Sequence, residues 1–354
     1  MNANLVEEIA NAVLYEGYML YPYRTSSVKN RQRWNFGIVY PRKYSEEQRG
    51  VDPWFTQTEC LVSGSENTEI RAKVRFLQAI TRQIGELDVP SFEPSLDSEP
   101  PFHLVPTLQV GDRLLQTWQE AAEREVTIAP CSLRTLIREP FIQFVSLHAR
   151  RDVELVRNES GRVCAVIVRT QEAITAKVEL TAAQVHHDVC KLKLRVSNET
   201  LLEGTDAYDR ECALRQSLLS AHSILGAEQG EFISLLETPY GLQEAARGCA
   251  NVGTWPVLVG EEGKRDAMLS SPIILYDYPQ VAPESPGNLF DGAEIDEILS
   301  LRILTLTEEE KREMRQGDER ARQILERTES MPAEQFAKLH GTLRGLRPST
   351  EGQQ

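Results

Sequence analysis

No apolar run in the 354-residue sequence approaches the roughly 18 consecutive residues that would suggest a membrane-spanning helix. Basic residues are scarce beside acidic ones, 39 against 53. The formal charge of −14 argues against a general nucleic-acid binder, because neutralising phosphates requires a positive surface. Cysteine pairs are missing as well. Cys60, Cys131, Cys164, Cys190, Cys212 and Cys249 stand singly, with no CxxC and none of the density of a secreted disulfide scaffold, so reduced thiols are expected. The opening MNANLVEEIANAVLYEGY carries acids where a signal peptide would carry lysine or arginine. Together these absences predict a soluble cytoplasmic protein. There is also no GxGxxG, P-loop, GxSxG or HExxH, which removes any sharp catalytic hypothesis without excluding an enzyme, and no cofactor is expected.

What the sequence does contain is alternation. Trp34, Phe36, Ile38 and Tyr40 alternate with small or polar residues, and Ile70, Ala72, Val74 and Phe76 alternate with Arg71, Lys73 and Arg75, the period of half-buried strands. Val153–Val156 and Val163–Val168 flank Asn158-Glu-Ser-Gly161, a hairpin pattern. Two more alternating runs, Ile174–Leu180 and Cys190–Val196, complete a meander or sandwich with its basic side chains toward solvent. A short helix is expected over 4–15, and the proline-rich stretch between Val89 and Pro106 reads as a surface loop or hinge.

After Gly204 the period changes. Leu214, Leu218, Ala221, His222 and Leu225 share one face of a predicted helix, followed by short buried strands at 232–236 and 273–276. From Asp291 capping-box spacings and opposite charges three or four apart predict helices, including a solvated one over EEEKREMRQGDERARQILERTE and a last one containing Phe336, Leu339 and Leu343. The tail after Pro348 reads as disordered. The expected class is α+β: a β-rich body over 1–205, a mixed α/β segment over 206–289 packed on it, and a helical segment over 290–354.

Three clusters carry candidate chemistry. His186, His187 and Cys190 offer metal-ligand types within five residues, but on a strand His186 and Cys190 would lie about 13 Å apart; a polar turn entering a strand is the competing reading. His222, Asp277 and Cys249 would form an active site only if they converged in one cleft. A lone histidine on an apolar face is more often a core residue, and free cysteines are mostly inert. Between Tyr21 and Tyr44 the chain holds Arg24, Lys29, Arg31, Arg33, Arg42 and Lys43 with no acid, interleaved with tyrosines and Trp34. This composition suits a plain solvated face of strands, docking to an acidic protein surface or a phosphate, or contact with single-stranded nucleic acid.

The stretch from Ser270 to Asp291 contains Pro272, Pro279, Pro283 and Pro286, so most of it follows an irregular path that needs a surface to lie on. Tyr276, Asp277 and Tyr278 can lock that path onto its own domain or recognise a partner, as can the nearby Trp255.

The runs GEFISLLETP, CANVGTWPVLVG and SSPIILYDYPQVAPESPGNLFDGAEIDEILSLRILTLTEEEKREMR, with LYEGYMLYPYRTSSVKNRQRWNFGIVYP near the start, resemble a bacterial family. That family is encoded beside NiFe-hydrogenase structural and maturation genes, notably those of actinobacterial-type, oxygen-tolerant uptake hydrogenases. The resemblance implies an accessory protein that chaperones a subunit, escorts a metal or cofactor, or links the enzyme to an electron acceptor. Maturation proteins of such systems use cysteine pairs, P-loops or metal-binding histidines. Their lack here favours binding to a hydrogenase subunit or maturation factor through Arg24, Lys29, Arg31, Arg33, Trp34, Trp255 and Tyr276–Tyr278.

Overall fold

The computed structural model describes residues 3–15, 37–89, 99–202, 209–280, 306–308, 311–312, 315 and 319–330. Helix α1 (Ala3–Tyr15) buries Val6, Ile9, Ala10 and Val13, which recur at helical spacing. Helix α2 (Arg42–Glu47) follows Pro41. Strand β1 (Phe55–Leu87) is 33 residues long. Three short strands, β2 (Phe102–Val105), β3 (Thr107–Val110) and β4 (Arg113–Gln116), lead into β5 (Trp118–Ser132). Ser132 then starts α3 (Leu133–Arg138), its Oγ accepting the Thr135 N–H at 3.2 Å.

Strands β6 (Phe141–Leu147), β7 (Arg150–Arg157), β8 (Val163–Gln171), β9 (Ile174–His186) and β10 (Val189–Asn198) follow. Beyond them come α4 (Arg210–Arg215), β11 (Leu219–Ile233), α5 (Gln243–Arg247), β12 (Trp255–Leu258), β13 (Ala267–Ser271) and α6 (Glu319–Ser330).

Among the described residues eleven strands form one antiparallel sheet in which β12, β13, β11, β1, β10, β9 and β6 lie in that order, while β2, β5 and β8 also pair with β1 and β7 pairs with β8; β3 and β4 form a separate hairpin. The 206–280 stretch thus adds β11, β12 and β13 to the sheet begun by the earlier strands. Along its length β1 changes neighbours, from β10 at Phe55–Ser63, to β11 and β5, to β8 and β2 at its end.

The first change coincides with an irregularity. Between the pairs Gly64↔Gly230 and Glu69↔Glu228 the β1 side is the longer. Thr68 pins the extra residues, its hydroxyl donating to the Gln229 carbonyl at 2.7 Å and accepting the Ser65 N–H at 3.0 Å. Both halves of β1 then face one core, in which Val62, Ile70, Val74 and Phe76 meet Val126, Ile128, Leu133, Val178, Leu192 and Phe232.

The expected helix over 4–15 is α1, and the alternating runs at 70–76, 153–156, 163–168, 174–180 and 190–196 lie in β1, β7, β8, β9 and β10. The turn between β7 and β8 is held by Asn158, whose Oδ1 accepts the N–H groups of Ser160 and Arg162. The basic side chains of β10 are only half solvated, since the Arg195 guanidinium lies 3.8 Å over the ring of Phe55.

The predicted helix over 214–225 is not there. Helix α4 ends at Arg215 and Leu219 opens a strand. Ala221 and Leu225 pack into the central core while Ile224 packs with α1, so burial on both faces erased the period of two. Nor is 273–276 a buried strand: only Leu275 is enclosed, and Ile274 and Tyr276 are exposed. The expected loop over 89–106 ends in β2, which pairs with Ile84–Leu87. Around Tyr40, the described part of the expected strand makes a single bridge, Val39 to Leu218. Helix α6 falls in the predicted solvated helix yet buries Leu325 and Thr328. The expected helices at 291–299 and 332–343, and the tail, lie outside the described residues.

All six cysteines are free. None of the described helices is long and apolar enough to cross a membrane.

Candidate protein-docking edge

Among the described residues strand β12 is the outermost of its side of the sheet and pairs with β13 alone. Such an edge presents unpaired backbone groups. Here the segment after β13 returns to cover part of it. Ser271 turns the chain, its Oγ donating to the Ile273 carbonyl at 2.7 Å. Pro272 follows and lies so close to Gly37 that a Cβ there would come within 2.6 Å of the Pro272 ring; Gly37 has φ of +56°. The described end of the basic, aromatic N-terminal segment therefore touches the proline-rich loop.

Leu275 is buried among Val6, Ile9 and Val13 of α1 and Val257. Its neighbours point away, Ile274 being 72% and Tyr276 85% exposed. Asp277 then clamps the chain: its Oδ1 accepts the Leu258 N–H at 2.7 Å and its Oδ2 accepts the Ser234 hydroxyl. Tyr278 completes the clamp, donating its N–H to the Leu258 carbonyl at 2.8 Å and its hydroxyl to the Lys264 carbonyl at 2.9 Å, with φ of +55°. Burial raises the Tyr278 phenol above its ordinary pKa, and Arg265 partly offsets this. Asp277 and Tyr278 thus lock the loop, whereas Ile274 and Tyr276 are displayed by it. Trp255, at the start of β12 opposite Ser271, is also exposed.

The sequence reading missed two further exposed apolar residues, Leu236 and Tyr240, on the turn that begins at Ser234. The Ser234 Oγ accepts the N–H groups of Leu236 and Glu237, which turns the chain out of β11. Reading 232–236 as a buried strand hid Leu236. The available signal was Ser234, a residue that competes with strand pairing, followed closely by Pro239.

Arg24, Lys29, Arg31, Arg33 and Trp34 lie outside the described residues. The end of their segment is described and is engaged internally. Arg42 donates to Glu46 at 2.8 Å and lies 4.7 Å over the ring of Trp54, and Lys43 donates to the Leu202 carbonyl at 3.2 Å.

The metal candidates are not brought together. His186 and His187 are exposed at the turn between β9 and β10, with His187 Nδ1 against Asp188, while Cys190 faces the core. Among the described residues no group of three or more His, Cys, Asp and Glu side chains is placed to hold a metal ion.

The enzyme candidates are likewise committed to different partners. His222 is 1% exposed on β11, opposite Arg75 of β1, with Nδ1 3.0 Å from the Ser220 carbonyl; burial lowers its pKa to about 4. Arg75 in turn holds Glu7 and Asn11 of α1 at 3.1 and 2.7 Å. Cys249 packs against the cluster of Leu61, Val189 and Ile233, and burial pushes its thiol up to about 11, so the nucleophilic thiolate is scarce at neutral pH. Asp277 belongs to the clamp.

No known family model matches the chain, and no curated protein matches it in sequence.

Proposed function

We propose that this chain is a cytoplasmic accessory or assembly protein of a NiFe-hydrogenase system, acting by protein–protein interaction through the edge that carries Trp255, Ile274 and Tyr276. The carrying observation is the contrast within five residues: Ile274 and Tyr276 face outward while Leu275, Asp277 and Tyr278 are fixed to the body. A loop held in this way loses little freedom when a partner covers it, and aromatic side chains so presented are the usual anchors of an interface. The resemblance carried by the runs around this edge supplies the identity of the partner, a hydrogenase subunit or maturation factor.

In this reading a β-rich body bears the α/β segment that carries the edge. A helical C-terminal segment packs on the body, consistent with the buried Leu325 and Thr328 of α6. The same reading assigns Arg24, Lys29, Arg31, Arg33 and Trp34 to partner binding, and the first described residue after them, Gly37, lies against Pro272.

The test is affinity capture of the tagged full chain from a hydrogenase-producing native host, in mild salt, with hydrogenase subunits and maturation factors quantified. Wild type should recover one of these, and Ile274→Ser with Tyr276→Ala should lose it while keeping its thermal melting curve. Recovery of none by a folded wild-type chain overturns the reading.

A further inference from the structure

A cavity of about 300 Å³ lies at the other end of the sheet, where β1, β4 and β8 meet the C-terminal segment. Its charged lining comprises Arg82, Arg113, Arg169, Arg315, Arg322 and Glu154. In a chain of formal charge −14 this is a marked local inversion. The buried Leu115 and Ile167 supply an apolar floor.

The five arginines are not equally engaged. Arg169 donates to Glu120 at 2.8 Å and Glu154 at 2.6 Å, and Arg315 is gripped by Glu329 at 2.9 and 2.8 Å. Arg322 stands 3.8 Å from Glu326. Arg113, on β4, is exposed. Arg82 is the unusual one. It is 8% exposed, its Nε is fully enclosed with no hydrogen bond, and its nearest carboxylate, Glu120, stays at 3.6 Å. An enclosed guanidinium N–H without a hydrogen-bond acceptor is costly, and the structure sets it beside the positive charges of Arg169 and Arg113. Burial lowers its pKa; Glu120 counters this, and Arg169 and Arg113 add to the lowering.

We propose that this cavity is a binding site for a phosphate-bearing small molecule, with Arg82 at its base and Arg113 at its mouth. A single planar carboxylate satisfies one guanidinium fork. Forks arriving from three strands and from the C-terminal segment match a group that offers oxygens in several directions, as phosphate and diphosphate do. The cavity volume is at the small end of ligand pockets, which fits a compact ligand rather than an extended polymer.

The proposal stands apart from the docking edge and is tested without any partner protein. Full-length protein is titrated calorimetrically with inorganic pyrophosphate and, separately, with citrate. Saturable one-to-one binding of pyrophosphate is expected, with citrate markedly weaker. Arg113→Ala should weaken pyrophosphate binding by about tenfold, the loss of one charge-assisted contact, without altering the melting curve. Arg315→Ala provides a second variant on a different element, with weakening in the same direction. Absence of saturable pyrophosphate binding, citrate binding as tight as pyrophosphate, or binding unchanged in both folded variants would each overturn the assignment.

Discussion

Asp277 accepts the backbone N–H of Leu258 at 2.7 Å, so a loop carboxylate takes the place of a neighbouring strand at the outer edge of the sheet. Tyr278 donates to the carbonyl of the same residue. The same bonds that close the edge there also fix the direction of Tyr276, one residue earlier. Edge protection and side-chain display are therefore one device at this position.

Replacing Asp277 with alanine leaves the Leu258 N–H and the Ser234 hydroxyl without their acceptor, and should destabilise the protein by about 1–3 kcal/mol. Asp277→Asn should cost less, since an amide oxygen still accepts one of the two bonds. Urea unfolding of the three proteins gives the ranking; equal midpoints would show that the clamp adds nothing to stability.

Tyr276→Ala should change stability by no more than about 0.5 kcal/mol, because its side chain is exposed and makes no contact that folding requires. Leu275→Ala, one position away, removes a side chain packed between α1 and β12 and should cost about 2–5 kcal/mol. Thermal melts of the two variants should separate clearly, and a Tyr276 variant as damaged as the Leu275 variant would contradict the outward placement.

The contrast between these neighbours explains why the loop was misread. Ile273 to Tyr276 is apolar enough to pass for a buried strand, and nothing local tells which side chains are covered. The covering comes from Val6 and Ile9, far away in the chain. His222 is the core histidine expected of its apolar face, but the helix assigned to it is a strand for the opposite reason: with α1 on one face of β11 and the core on the other, Leu219, Ala221, Ile224 and Leu225 are all buried and mimic a helical stripe. By contrast, β7 to β10 were readable because their alternation and the Asn158 turn are local. The donors to Asp277, the cavity arginines and the pinning role of Thr68 all depend on strand register, which no short window contains.

The buried His222 makes stability depend on pH. In the unfolded chain an ordinary histidine titrates near 6.5, whereas burial lowers the native value to about 4. Between these limits the unfolded state binds the extra proton, so stability falls as pH is lowered from about 6.5 to about 4, by about 3 kcal/mol in all. Denaturation at pH 7.5 and 4.5 should show this loss, and His222→Gln should remove that part of it. An unchanged pH difference in a folded variant would assign the effect to other groups.

Gly230 lies against Thr68, where a Cβ would come within 2.5 Å of the threonine methyl and 2.9 Å of the Ser63 carbonyl. The second contact is backbone and cannot swing aside. Gly230→Ala should therefore cost about 1–3 kcal/mol through overpacking, measured as a lowered urea midpoint, whereas Gly161→Ala, with open space around its Cβ, tests only the cost of a positive φ.

The unusual length of β1 also bears on how the protein is made. This strand leaves the ribosome well before β10 and β11, the partners that flank its first half. During that interval the first half of β1 is an unpaired template, although β2, β5 and β8 are already made for its second half, and the contacts that will cover it join residues far apart in the chain, a topology that folds slowly. Nascent chains halted before Ile233 should accumulate as insoluble material rather than as a smaller stable domain.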